Sequence, residues 1–244
     1  MSTGKYAMLI SDEDDVVTEN LVEYIKMLKA NPTIGVVRTA GIGPYYSQEA
    51  ETFGEAGDEA FKKFFLGNNY LSGIIYRTDF ITEELSKEMN ARNKDNVAYL
   101  YYPHEFVDMY LCTNYDFCLY NVPLFKFGDA EPIAGSADIV YRNYESRLQQ
   151  HIGFTDLLMQ VQFQEIKTKV RAYMSLCWKT FFLISLRRKY YPDNWKEICD
   201  ECRQQCIDSI EQLKLGIIAK ECKDEINNVI TKYYNQLLAG DRIV

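Results

Sequence analysis

The sequence predicts an α/β protein: a mixed sheet with flanking helices, followed by a helical C-terminal region. Three observations predict this. Up to about residue 140, short apolar runs alternate with helix-periodic segments, the pattern of strands linked by helices. Beyond Ile139, apolar residues recur every three to five positions and a single proline, Pro192, interrupts them. A chain of 244 residues that is 47% hydrophobic and 14% aromatic has the material for one large or two small folded domains rather than a disordered chain. The expected division is residues 1–140 and 141–244.

Taken in order, Tyr6 to Ile10 reads as a short buried strand, within an expected strand at 6–11. Four acids follow directly: Asp12, Glu13, Asp14 and Asp15. A helix is expected over 17–31, stopped by Asn31-Pro32 because the residue before proline is pushed out of the helical region. Strands are expected at 34–40, 71–77 and 116–121, and helices at 56–67, 79–92 and 103–113. Gly41 to Gly57 is a long polar loop, of a length that is often functional. In the C-terminal region Leu157, Val161, Ile166 and Val170 share one helical spacing. Ile198, Cys202, Ile207, Ile210 and Leu213 share another, and Ile218, Cys222, Ile226, Val229 and Tyr233 a third. Two to four helices are expected there, broken at Tyr191–Asn194. Pro192 suits the first turn of the next helix and Asp193 its positive N-terminal end.

Charge and cysteine content narrow the function classes. A net charge of −8 and a pI near 5.0 provide no general attraction for phosphate backbones, so generic nucleic-acid binding is not expected. Seven cysteines, an odd number without paired spacing, point to free thiols and a reducing cytoplasm. The polar start and the short apolar run after it do not form a signal peptide, and no apolar stretch is long enough to cross a bilayer. Nineteen tyrosines suit sugar handling, membrane surfaces and core packing alike.

Four carboxylates at the exit of a buried strand repel one another, and a hard divalent cation carrying phosphate oxygens would relieve that repulsion. The alternative is a solvated acidic turn that favours the N-terminus of the following helix. The run from Gly4-Lys5-Tyr6 through Asp12-Glu13-Asp14-Asp15, followed by Asn20-Leu21-Val22-Glu23, resembles the family-2 glycosyltransferases of GT-A fold. The strand Ile34-Gly35-Val36-Val37-Arg38 and the segment Ser72-Gly73-Ile74-Ile75-Tyr76-Arg77 follow in the family's order. The resemblance covers roughly residues 1–127. It implies a partial GT-A-like sheet that lacks the family's N-terminal nucleotide-binding segment. From that lack follow the expectations of an exposed edge at Tyr6–Ile10, pairing with a second copy, and weak nucleotide-sugar binding.

The resemblance also implies roles. Asp14 and Asp12 would hold Mn²⁺ or Mg²⁺, and Asp12 and Asp15 would contact the nucleotide. The family's base lies in an acid pair just before a later helix. The matching segment here is Tyr102-Pro103-His104-Glu105-Phe106-Val107-Asp108, followed by Tyr120-Asn121-Val122-Pro123-Leu124. Glu105 is the candidate base and Asp108 its reserve. Where the family has two acids this chain has His104-Glu105, and both residues also suit a simple helix cap after Pro103.

Two further groupings carry a choice of readings. Cys199, Cys202 and Cys206 fall on one helical face that Cys222 could join. Core packing is expected there, because zinc sites usually pair cysteines across short loops and free cysteine is commonly buried. Residues 166–191 hold seven bases (Lys167, Lys169, Arg171, Lys179, Arg187, Arg188, Lys189), six aromatics and no acid. That composition fits an anionic lipid surface or a lipid-phosphate acceptor. It equally fits an amphipathic helix whose basic face meets the acidic front half. The expected function is transfer of a sugar from a nucleotide-sugar to a glycan or lipid-linked acceptor in surface polysaccharide synthesis. It would take place in the cytoplasm, with peripheral contact at the inner face of the membrane. The alternative is a non-catalytic glycosyltransferase remnant acting as an interaction protein, or a gene fragment.

Overall fold

The structure is a computed structural model that describes residues 4–42, 51–65, 71–128, 142–213, 219–241 and 243. Its elements run β1 (Tyr6–Leu9), β2 (Asp15–Val16), α1 (Leu21–Ala30), β3 (Ile34–Ile42), β4 (Thr52–Gly54), α2 (Asp58–Phe64), β5 (Ile74–Arg77) and α3 (Glu83–Asn93). They continue α4 (Val97–Tyr101), α5 (Pro103–Asn114), β6 (Asp116–Lys126), α6 (Tyr144–Gln160), α7 (Ile166–Ser185), α8 (Trp195–Gln212) and α9 (Ala219–Ala239). The chain divides into two compact units. One is Met1–Asn93 with His104–Ile133, and the other is Lys94–Pro103 with Ala134–Val244. Residues 94–103, including α4, therefore group with the helical unit. Residues 43–50 of the expected long loop, the end of the expected helix at 66–67, and Ile218 lie outside the described residues.

The first unit is a mixed six-stranded sheet in the order β1-β5-β3-β6-β2, with β4 pairing β6. β5 is antiparallel to both β1 and β3, while β3 and β6 are parallel. β1, β3 and β6 thus run in one direction and share a carboxyl edge. Side chains alternate across the sheet. Val37, Ile75 and Cys118 face Tyr24, Met27 and Leu28 of α1 in one buried cluster, with Met8 packed against it. Arg38, Val36 and Tyr76 point to the other face, where α5 lies.

The strand expected at 116–121 runs on into Pro123, which cannot donate to a ladder. It continues to Lys126 because the pairing slips there: Thr39 lies opposite Tyr120, and Ala40 opposite Pro123. The carbonyls exposed by the slip accept from the Tyr24 hydroxyl, Tyr120 O at 3.2 Å and Val122 O at 2.5 Å. Asn20 Nδ2 donates to Pro123 O at 2.7 Å. The helix expected over 17–31 begins instead as a 3₁₀ turn at Thr18–Asn20 and becomes α-helical at Leu21.

In the helical unit asparagine caps two helices. Asn143 Oδ1 accepts from Ser146 N at 2.7 Å, and Asn96 Oδ1 from Tyr99 N at 3.1 Å. Asn96 Nδ2 also donates to Gly153 O at 3.0 Å, which ties α4 to α6. A Cβ at Gly153 would lie 2.2 Å from Asn96 Oδ1 and 2.8 Å from Ala98 Cβ, so the contact needs glycine. Cys199, Cys202 and Cys206 are fully buried in α8, beside Ile198 and Ile210 in the core.

Candidate functional site

The acidic turn sits where β1 leaves the sheet, at the carboxyl edge. Gly73 N donates to Leu9 O at 3.0 Å and Ser11 N to Ser72 Oγ at 2.7 Å, so the start of β5 clamps one side of the turn. Gly73 holds φ at 81°, and a Cβ there would strike Thr39 Oγ1 at 2.2 Å, so this position requires glycine. The end of β6 clamps the other side. Asp15 pairs with Lys126, Val17 N donates to Leu124 O at 2.9 Å, and Asp14 Oδ1 accepts from Gly128 N at 3.0 Å. Phe127 N donates to Ile42 O at 3.1 Å, which joins the end of β3 to the same edge. Asp12, Glu13 and Asp15 are exposed, and Asp14 is half-buried. The oxygen donors suit a hard ion that takes one or two carboxylates and completes its shell from phosphates.

Glu105 and Asp108 lie in the same unit, on α5, both with no exposed surface. They converge on Arg38, itself only 6% exposed. Its Nη2 reaches Asp108 Oδ2 at 2.5 Å and Glu105 Oε1 at 3.7 Å. The Tyr76 hydroxyl donates to Asp108 Oδ1 at 2.7 Å and contacts His104 O at 3.3 Å. Burial, with the Asp108 charge second, pushes the Tyr76 hydroxyl well above its ordinary value, so it remains a donor. Arg38 pairs across the ladder with Ile74, and Ile74 with Leu9, the last residue of β1. The cluster and the acidic turn thus start at one level of the sheet, two strands apart, or about 10 Å. Arg38 and Tyr76 stand inside the strand segments read from sequence but were given no role there. An arginine within the apolar run Ile34–Arg38 was the available signal.

The basic segment 166–191 forms α7 and the turn after it. Two of its seven bases serve helix ends within the unit: Lys169 Nζ donates to Leu213 O at 3.2 Å and Arg188 Nη1 to Ala239 O at 3.5 Å. Lys167 and Arg171 are exposed one turn apart. Arg188, Lys189, Lys196 and Trp195 line an open depression between α7 and α8. No described helix is long and apolar enough to cross a membrane.

Sequence reading did not find a third grouping. Among the described residues, the set of three His, Cys, Asp or Glu ligand atoms all within 4.8 Å of one another is His151, Cys177 and Cys206, each buried. The acids of residues 12–15 are not such a set. Burial holds the His151 imidazole down at about 3, so the ring is neutral. His151 comes from α6, Cys177 from α7 and Cys206 from α8, so no linear spacing announces them. No protein-family model, no curated protein and no solved structure matches this chain.

Proposed function

We propose that this chain is a metal-dependent, inverting glycosyltransferase that moves a sugar from a nucleotide-sugar to a glycan or lipid-linked acceptor in surface polysaccharide synthesis. The observation that carries the reading is the place of Asp12, Asp14 and Asp15. They lie on a clamped turn at the carboxyl edge of three parallel strands, where open α/β sheets bind their ligands. Asp12 and Asp14 would hold Mn²⁺ or Mg²⁺, and Asp12 and Asp15 would contact the nucleotide. The bound ion would neutralise the departing diphosphate. Glu105 is the base in this reading: it takes the acceptor hydroxyl's proton as that oxygen bonds to the anomeric carbon and the sugar–phosphate bond breaks. Asp108, held by Arg38 and Tyr76, positions α5 beneath it. The exposed Lys167 and Arg171 suit peripheral contact with an anionic lipid surface.

One observation favours a second reading, a non-catalytic interaction protein of glycosyltransferase type. Glu105 and Asp108 are wholly enclosed and engaged by Arg38. Release of nucleoside diphosphate from a panel of nucleotide-sugars, with Mn²⁺ and a glycan or lipid-phosphate acceptor, separates the two. The first reading expects turnover that falls at least a hundredfold in Asp14→Asn and in Glu105→Gln. Absence of turnover with every donor would leave the second.

A further inference from the structure

The helical unit contains a buried polar cluster that the proposed sugar transfer does not use. Its hydrogen bonds fix the orientation of one imidazole. Thr180 Oγ1 donates to Leu176 O at 2.9 Å, so towards His151 Nδ1, also at 2.9 Å, it accepts. The Tyr173 hydroxyl donates its proton to Cys206 O, so it has none for His151 Nε2, 3.3 Å away. With both hydroxyl protons spent on helix carbonyls, the ring proton goes to the shorter contact, Nδ1–H to Thr180 Oγ1 at 2.9 Å rather than Nε2–H to Tyr173 at 3.3 Å. The imidazole lone pair then lies on Nε2, on the Tyr173 side of the ring. An imidazole whose far N–H is anchored on an oxygen is how ligating histidines are oriented.

Around this ring stand two thiols. Cys177 and Cys206 place their sulfurs, together with a His151 nitrogen, within 4.8 Å of one another. An equilateral triangle of that side has its centre about 2.8 Å from each corner, whereas zinc sits at about 2.3 Å from sulfur and 2.0–2.1 Å from imidazole nitrogen. Each ligand would need to close by less than about 1 Å. The Cys202 thiol, one turn before Cys206 on α8, is a hydrogen-bonding neighbour of the Cys206 thiol and is fully buried. We propose that His151, Cys177 and Cys206 form a structural zinc site that joins α6, α7 and α8, with Cys202 as the fourth ligand or its nearest reserve. Thiolate and imidazole donors select zinc over the hard ions assigned to the carboxylates of the other unit. On binding, each ligating thiol releases its proton to solvent and zinc takes its place. Two thiolates and a neutral ring leave the buried site uncharged, which avoids the cost of an isolated interior charge; ligation by Cys202 as a third thiolate would add one negative charge.

The test uses the full 244-residue chain, purified without a polyhistidine tag, under thiol reductant and without chelator. Elemental analysis by mass spectrometry is expected to find about one zinc per chain, as isolated or after reconstitution. Cobalt substitution is expected to give near-ultraviolet sulfur-to-cobalt charge transfer with tetrahedral d–d bands, a signature that carboxylate sites lack. His151→Gln and Cys206→Ser are each expected to weaken zinc binding at least tenfold, while Cys222→Ser leaves it unchanged. If Cys206→Ser does not fold, the wild-type stoichiometry, the cobalt spectrum and His151→Gln still decide. Zinc below a tenth of an equivalent after reconstitution, with no charge-transfer band, overturns the proposal and leaves a packed thiol–imidazole core.

Discussion

Replacing Arg38 with methionine isolates the electrostatics at the centre of the sheet unit. The guanidinium bridges two carboxylates with no solvent exposure, Asp108 at 2.5 Å and Glu105 at 3.7 Å. Methionine keeps much of the side-chain volume and removes the charge. Asp108 retains the Tyr76 hydroxyl, but one hydrogen bond does not offset the loss of its counter-ion in the interior. Removing one partner of a buried ion pair costs about 3–5 kcal/mol, and Arg38→Met is expected within that range. Exchanging Arg38 together with its nearer partner, Arg38→Met with Asp108→Leu, is expected to recover part of the loss, because the Asp108 charge is then gone while Glu105 remains. Urea unfolding followed by circular dichroism gives the total. Hydrogen-exchange mass spectrometry localises it: amides of β3 and β5 are expected to exchange faster, and those of α8 to hold. A single-variant loss below about 1 kcal/mol, or a double variant no better than the single, would refute the reasoning.

Other outcomes follow from particular contacts. Gly153→Ala forces a Cβ to 2.2 Å from Asn96 Oδ1, and is expected to destabilise the protein by about 2 kcal/mol despite alanine's better helix propensity; an unchanged urea midpoint would contradict the close α4–α6 approach. The Arg77 fork, 2.9 Å from each Asp79 oxygen, holds the Asp79 carboxyl below its usual value. Its contribution is therefore full above about pH 3.9 and is lost as the pH falls through the lower folded value. Because Asp79 is half-exposed, Asp79→Asn is expected to cost under about 1 kcal/mol and to flatten the stability curve only in that acidic window, as acid titration monitored by circular dichroism would register. Flotation with anionic vesicles is expected to carry the protein, and Lys167→Glu/Arg171→Glu to lose it, each base being worth about 1 kcal/mol near such a surface. Equal, negligible flotation with neutral and anionic vesicles would remove the membrane contact.

Legibility in the sequence followed the range of the forces. The strands at Tyr6–Leu9, Ile34–Ile42 and Ile74–Arg77 and the helix at Pro103–Asn114 were readable because apolar runs, periodicity and a proline at a first turn act locally. The two-residue β2 and three-residue β4 have no period to read; they exist because β6 offers them an edge. The slip at Pro123 depends on Tyr24, about a hundred residues away in sequence, reaching the freed carbonyls. The grouping of residues 94–103 with the helical unit rests on Asn96 meeting a glycine at 153, which no window could show. The acids at 12–15 were legible as a run, but their clamping by Ser72 and Gly128 was not. Cys206 was expected in the core because free cysteine is commonly buried. Its meeting with His151 and Cys177 needed three helices assembled.

The assignment of the carboxyl edge is tested most directly by calorimetric titration of the full chain with uridine, guanosine, cytidine and thymidine diphosphates, each with Mn²⁺ and with EDTA. The expected result is that at least one of them, weakly or tightly, binds with Mn²⁺, releases no heat in EDTA, and loses at least tenfold in affinity with Asp14→Asn. Binding of none of the four, or binding indifferent both to Mn²⁺ and to Asp14, would contradict it.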